Sequence, residues 1–283
     1  MIEKTVLCMN KRGFHRMAYT EWGPRDAERT VVCVHGLTRN GRDFDLLAEA
    51  MAGAGWRVVC PDVVGRGRSE WLADARGYGQ PQYMSDLTTL IARLDVAAVD
   101  WVGTSMGGIA GMLLAAMPGT PIRRLVVNDV GPFIPKAALE RIAGYVGGDP
   151  RFDGIAELES HLRRVQSGFG DLTDAQWRHM AEHSARPVED GKLALAYDPA
   201  IAAGFTPGAM EDLDIWGAWD RIEGPVLALR GAESDLLLRE TAAEMAARGP
   251  KATMVEIDRC GHAPALMDAA QIATVRGWLA EHR

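Results

Sequence analysis

Apolar and polar positions follow two rhythms along this chain. Short runs rich in Val, Ile and Leu, apolar along nearly their whole length, occur at "TVVCVHG" (30–36), "RVVCPD" (57–62), "VDWVG" (99–103), "IRRLVVND" (122–129), "PVLALRG" (225–231) and "ATMVEID" (252–258). Helical spacing appears between and after them, in "DFDLLAEAMAGAG", "YMSDLTTLIARL", "SMGGIAGMLLAAM", "LRETAAEMAARG" and "AAQIATVRGWLAEH". Two earlier extended stretches, near 4–9 and 15–22, predict a leading hairpin joined through Gly13. Strands that are apolar on both faces and alternate with helices belong to a mainly parallel sheet covered on both sides. The predicted class is therefore α/β, with an eight-stranded, mainly parallel sheet.

The alternation breaks between residues 132 and 219. That stretch opens with "GPFIP" and carries helical patterns in "KAALERIAGYVG", "GIAELESHLRRVQSGF" and "TDAQWRHMAEHS". It also holds "VEDGKLALAYDP" and the aromatic-rich "MEDLDIWGAWD". We read it as a helical cap inserted after the sixth strand, so that 1–131 and 220–283 form the core and 132–219 the cap.

Composition narrows the class of partner more than the fold. A chain of 283 residues suits one α/β domain with an insertion. A net charge of −7 argues against nucleic acid or an anionic membrane as main partner. No apolar run approaches the roughly 20 residues that span a bilayer, and "MIEKTVLCMNKRGF" lacks the features of an export signal. Cys8, Cys33, Cys60 and Cys260 sit in or beside apolar runs without CxxC or CxxH spacing, so they are expected as buried thiols of a reducing compartment, the cytoplasm. Neither metal-ligand spacing nor a phosphate-binding lysine is visible, so no cofactor or metal is expected. The partner expected is a small molecule, with oligomeric state left open.

The chemistry concentrates at "GTSMGG" (103–108), between an apolar strand and a helix of small residues. A P-loop would need a lysine after its glycines, and a dinucleotide fingerprint would sit at the first strand of such a sheet. Gly-x-Ser-x-Gly between strand and helix instead fits a nucleophile elbow. There Ser105 takes a strained conformation, and a Cβ at Gly103 or Gly107 would strike backbone. The helix that starts there offers free N–H groups to developing negative charge. A serine nucleophile needs a base. His262 in "DRCGHAPALMD" follows the last strand, at the same sheet edge as Ser105, whereas His161, His179 and His183 lie on polar patterns of the cap and are expected in solvent. The carboxylate that orients the base is read as Asp235, in "LRGAESDLLL" beyond the strand at 225–231, giving the chain order Ser105, Asp235, His262. Asp129, ending "VVND", and Glu233 are the rivals.

These motifs together resemble the α/β-hydrolase superfamily along almost the whole chain. The resemblance rests on "HGL" (35–37), "PDVVGRGRS" (61–69), "GTSMGG", "GAESD" and "CGHAP", in that order. It implies an α/β-hydrolase sheet with a helical cap and an oxyanion hole made by the backbone N–H groups of Leu37 and Met106. It also implies that Gly36 lets the loop pass close to the substrate carbonyl. His35 is read as holding that loop, and "GRGRS" as a packed turn. Members with an Asp nucleophile, the haloalkane dehalogenases and epoxide hydrolases, form alkyl esters; serine at 105 implies acyl transfer. The expected function is a serine hydrolase of a modest-sized apolar carboxylic ester or lactone. The alternatives are a C–C bond hydrolase of aromatic ring-fission products, whose elbows are similar, and a non-catalytic receptor. Phe133, Phe169, Tyr197, Phe205, Met210, Trp216 and Trp219 are candidates for the lining of the pocket.

Overall fold

The computed structural model describes all residues except Pro207 and Arg283. The predicted sheet is present. Strands β1 (Ile2–Asn10) and β2 (Gly13–Trp22) form the leading antiparallel hairpin, and β3 (Thr30–Val34), β4 (Arg57–Pro61), β5 (Val99–Thr104) and β6 (Ile122–Asn128) follow. Four short strands occupy the insertion: β7 (Phe133–Ile134), β8 (Ala185–Pro187), β9 (Leu193–Leu195) and β10 (Leu213–Asp214). Strands β11 (Val226–Gly231) and β12 (Thr253–Ile257) return to the main sheet, whose order is β1-β2-β4-β3-β5-β6-β11-β12. From β4 onward neighbouring strands are parallel.

Burial explains why the central strands read as unbroken apolar runs. Every residue of β3, β4 and β11 is buried, as are all of β5 but Thr104 and all of β6 but Arg123. Helices α1 (Asp45–Gly53) and α9 (Ala269–Glu281) cover one face, where Leu47, Met51, Val275 and Trp278 meet Val31, Val58 and Val126. Helices α2 (Gln80–Leu94), α3 (Met106–Ala115) and α8 (Arg239–Ala247) cover the other, bringing Leu87, Leu90, Met112 and Met245 onto Val32, Trp101 and Val127.

Between β6 and β11 the chain leaves the sheet. Strands β7 and β10 pair antiparallel at the root of this excursion, and β8 pairs with β9 within it. Helices α4 (Lys136–Ala143), α5 (Ile155–Val165), α6 (Asp174–Ser184) and α7 (Trp216–Trp219) supply its bulk. Helix α6 starts at a capping box, Thr173 with Gln176, which satisfies two otherwise free backbone donors. A small core of Phe152, Leu158, Leu162, Trp177 and Met180 holds α5 and α6 together and packs on Met267 beside the sheet. Polar contacts fasten α6 down: Arg39 Nη1 donates to Ser184 Oγ (3.0 Å) and Asn40 Nδ2 to the His183 carbonyl (2.9 Å).

In a sheet of this winding, the carboxyl ends of the parallel strands are where loops converge on a ligand. Here β3, β5, β6 and β12 deliver Gly36–Leu37, Ser105, Asp129 and the His262 loop to that edge, beneath the insertion.

Candidate active site

The turn after β5 leaves Ser105 at φ 51°, ψ −114°, a costly backbone for a residue with a side chain. Contacts around it show what enforces this. A Cβ at Gly103 would lie 2.3 Å from the Gly107 carbonyl oxygen, and one at Gly107 would lie 2.1 Å from that of Val34. Only glycine permits strand, turn and helix to pack this closely. The hydroxyl accordingly stands at the first residue before α3 and faces a cavity of about 220 Å³.

His262 meets it there. Its Nε2 lies 2.9 Å from Ser105 Oγ, and its Nδ1 lies 2.7 Å from Asp129 Oδ2. A carboxylate can only accept, so Nδ1 carries the proton and Nε2 is free to accept from the serine hydroxyl. Asp129 is wholly buried. Its Oδ1 accepts from the Gly231 N–H (2.8 Å), and its Oδ2 also accepts from Ser234 Oγ (2.6 Å). Three donors thus orient one buried carboxylate.

Asp235 does not reach this histidine. Its carboxylate faces outward and is gripped by Arg141 of α4, with Nε to Oδ2 at 2.7 Å and Nη2 to Oδ1 at 2.9 Å. Both side chains are about half exposed. The expected partner of His262 is therefore corrected from Asp235 to Asp129. The cause is local: the turn after β11, closed by Ser234 N–H to the Gly231 carbonyl, points Ser234 inward and leaves its successor outside. Asp129 reaches the histidine because β6 lies between β5 and β11, and its N–H is fixed by the Leu229 carbonyl. Glu233 contributes a backbone N–H to the Cys260 carbonyl, which steadies the histidine loop.

Gly36 and Leu37 line the same cavity as His262. Met106 is the first residue of α3, so its N–H has no partner within the helix. Among the described residues, no protein group accepts from the N–H of either Leu37 or Met106. His35 is buried behind this loop. Its Nδ1 donates to the Gly36 carbonyl (2.7 Å), and its Nε2 accepts from the Val63 N–H (2.9 Å). Burial, together with the positive charge of Arg66, pushes its pKa down to about 3.

Of the aromatic candidates for the wall, only Phe169 and Tyr197 line the cavity. Trp219 is fully buried, its Nε1 donating to the Arg248 carbonyl, and Phe205 and Trp216 pack against the main core. The wall comes instead from α4, α5 and the residue that follows α5, through Ile142, His161, Leu162 and Gln166. His161 is therefore not the solvated residue expected; burial lowers its pKa. For Ile142 and Leu162 the available signal was the apolar stripe of each helix, Ala138 with Ile142 and Leu158 with Leu162.

Among the described residues, two clusters of metal-type donors occur elsewhere: Cys8, His15 and Asp86, and Asp45, His179 and His183. Both ring nitrogens of His15 are engaged, by Asn10 and Asp86, and the Asp45 carboxylate carries the Arg42 guanidinium. None of the six residues lines the cavity. The four cysteines are free and buried. Among the described residues, no helix is long and apolar enough to cross a membrane.

A doubly covered parallel sheet, with a serine on a strained strand–helix turn facing a histidine, defines the structural class. Residues 31–275 match the model of the alpha/beta hydrolase family, and the chain belongs to that family. It is similar to the 3-hydroxybutyrate-oligomer hydrolase of Cupriavidus necator, with 52% identity over 276 residues, covering 95% of this chain and 94% of that protein. An esterase of Mycobacterium tuberculosis is 28% identical over 260 residues, covering 88% of this chain and 82% of its own. Among solved structures, an alpha/beta hydrolase from Novosphingobium aromaticivorans superposes with a TM-score of 0.88 at 36% identity, covering 99% of both chains.

Proposed function

We propose that this protein is a serine hydrolase that cleaves small esters of hydroxy acids, short oligomers of 3-hydroxybutyrate among them, through an acyl-enzyme. The observation that carries the reading is the line of contacts from Ser105 Oγ through His262 to Asp129, at 2.9 and 2.7 Å. Ser105 attacks the ester carbonyl as His262 Nε2 takes its proton. The N–H groups of Leu37 and Met106 receive the developing oxyanion. His262 then protonates the departing alcohol, which is the hydroxyl end of the next unit when the substrate is an oligomer. A water activated by the same nitrogen releases the acid. Asp129 keeps the imidazole in the required tautomer and balances the imidazolium charge.

The substrate class rests on the similarity to the oligomer hydrolase and on the size of the site. A cavity of about 220 Å³ is smaller than the roughly 300–1,000 Å³ typical of drug-sized ligands, which suits a short acyl unit. Residues 132–219 act as the cap, with α4 and α5 choosing the acyl group while the core performs the chemistry. The free thiols support a cytoplasmic setting.

The test is turnover of linear 3-hydroxybutyrate dimer beside a panel of nitrophenyl esters, a lactone and a ring-fission diene, with fluorophosphonate labelling. The expected result is stoichiometric labelling of the wild type, none of Ser105→Ala, and release of monomer over many turnovers. Less than one turnover per chain would point to a receptor. Turnover of the diene alone would point to C–C cleavage.

A further inference from the structure

The turn "GRGRS" buries a charge that the reaction scheme above has not used. Arg66 is completely inaccessible to solvent, yet among the described residues its guanidinium meets carbonyls and a thioether and forms no ion pair with a carboxylate. Burying an uncompensated cation is expensive, and such groups persist where their charge has a use. Its hydrogen bonds say where. Nε donates to the Leu37 carbonyl (2.8 Å), Nη1 to the Val64 carbonyl (2.8 Å), and Nη2 lies 3.6 Å from the Met106 Sδ. The guanidinium also stacks over Tyr83 and Tyr78, its carbon 4.8 and 5.9 Å from the ring centroids.

In the proposed reaction Leu37 and Met106 donate their N–H groups to the developing oxyanion, and they follow different strands, β3 and β5. One guanidinium grips both. Its fork fixes the backbone just beyond the Leu37 N–H and anchors the Met106 side chain at the start of α3. The Tyr78 and Tyr83 rings fix the fork in turn, with Tyr78 Oη donating to Asp198 at 2.6 Å. The field of the same charge reaches the oxyanion loop, since Arg66 helps to keep the neighbouring His35 unprotonated.

We propose that Arg66 is the positioning residue of the oxyanion hole. It sets the distance between the Leu37 and Met106 donors and places a fixed positive charge behind them. The inference rests on the serine-hydrolase reading of the site. It assigns Arg66 no contact with substrate, so its effect belongs to the tetrahedral, anionic state and not to ground-state binding.

The experiment compares wild type, Arg66→Met and Arg66→Lys by ester kinetics and by affinity for an aryl boronate. The boronate becomes a tetrahedral anion on Ser105 and so needs the oxyanion donors, whereas the product acid does not. Loosening the donors should lower kcat in Arg66→Met by about 10²-fold, the scale of losing one such donor, with KM changed less than about threefold. Boronate affinity should fall in step with kcat/KM while product-acid affinity holds. Arg66→Lys restores the charge without the fork and should fall between the two. If Arg66→Met does not fold, Arg66→Lys carries the test: it should lose boronate affinity without losing acid affinity. Folded variants with unchanged boronate affinity, or with boronate and acid affinity reduced alike, would overturn the proposal. A wild type that binds no boronate would instead overturn the serine-hydrolase reading.

Discussion

Replacing Asp129 by asparagine exchanges one carboxylate oxygen for an NH₂ at almost no change in volume. The consequence can be worked out from its three partners, the N–H of Gly231, the hydroxyl of Ser234 and Nδ1 of His262, all of which donate to the native carboxylate. Asparagine offers one oxygen and one NH₂. If the oxygen stays on the Gly231 N–H, the NH₂ faces Ser234 and His262. The serine hydroxyl can rotate and accept. The imidazole can accept only by giving up its Nδ1 proton, which moves the proton to Nε2, where it blocks transfer from Ser105. Turning the amide over would instead set NH₂ against the Gly231 N–H, two donors face to face in a fully buried place. The wrong tautomer is thus the easier escape, and kcat should fall on the order of 10⁴-fold, about 5 kcal/mol of transition-state stabilisation.

Asp235→Asn is the matched control, because that carboxylate was the expected partner of His262. It should lose only a half-exposed pair with Arg141, worth about 0–1 kcal/mol, with kcat hardly changed. Both variants are assayed on one nitrophenyl ester, with circular dichroism to verify folding. A deep loss in Asp235→Asn together with a mild one in Asp129→Asn would refute the assignment.

Other outcomes follow from the same contacts. Gly107→Ala must push a methyl group to 2.1 Å from the Val34 carbonyl and should lose about 3 kcal/mol or more, whereas at Gly36 the nearest atom is 3.7 Å away and alanine should fold; equal melting temperatures would contradict this. Trp219→Ala empties a fully buried site and should cost about 3–5 kcal/mol in denaturant titrations, so a change of ester preference at unchanged stability would show that the ring is not core. His35 has a folded pKa of about 3 against an ordinary 6.5, so below pH 6.5 the unfolded chain takes up a proton that the folded chain refuses. Its contribution is complete above that pH and is lost as pH falls towards 3, at up to about 1.4 kcal/mol per pH unit. Denaturation at about pH 7 and about pH 5 should therefore show a shallower pH slope for His35→Asn than for wild type, and parallel slopes would refute it.

The sheet was legible because its central strands are buried on both faces, and nothing in the sequence disguises that: "TVVCV" and "VLALRG" have no polar face to confuse with helix. The elbow was legible for a different reason. Its glycines answer to backbone clashes, at 2.3 Å for Gly103 and 2.1 Å for Gly107, so their spacing around Ser105 carries geometry directly. The wall of the cavity was harder to read. Aromatic residues of the insertion were expected to line it, yet Trp219 and Phe205 serve packing, while Ile142 and Leu162 face the site. Residue type says that a side chain avoids water. It does not say whether a neighbour or a substrate displaces that water, and helix phase is the better guide.

Asp235 shows a sharper limit of the same kind. Strand order and loop position narrow the acid to the loops after β6 and β11, and both loops do take part in holding His262. What decides between them is which way successive residues face across one tight turn. Beyond β11 the turn brings Ser234 inward, and its hydroxyl donates to the carboxylate that β6 supplies. The loop expected to carry the acid therefore contributes a donor to it, and its own aspartate is left to meet Arg141 of α4. That ion pair joins α4 to the loop after β11, and Arg141 also lines the cavity. A one-residue difference in facing thus separates Ser234, which donates to the Asp129 carboxylate, from Asp235, which meets Arg141, and spacing along the sequence contains no term for it.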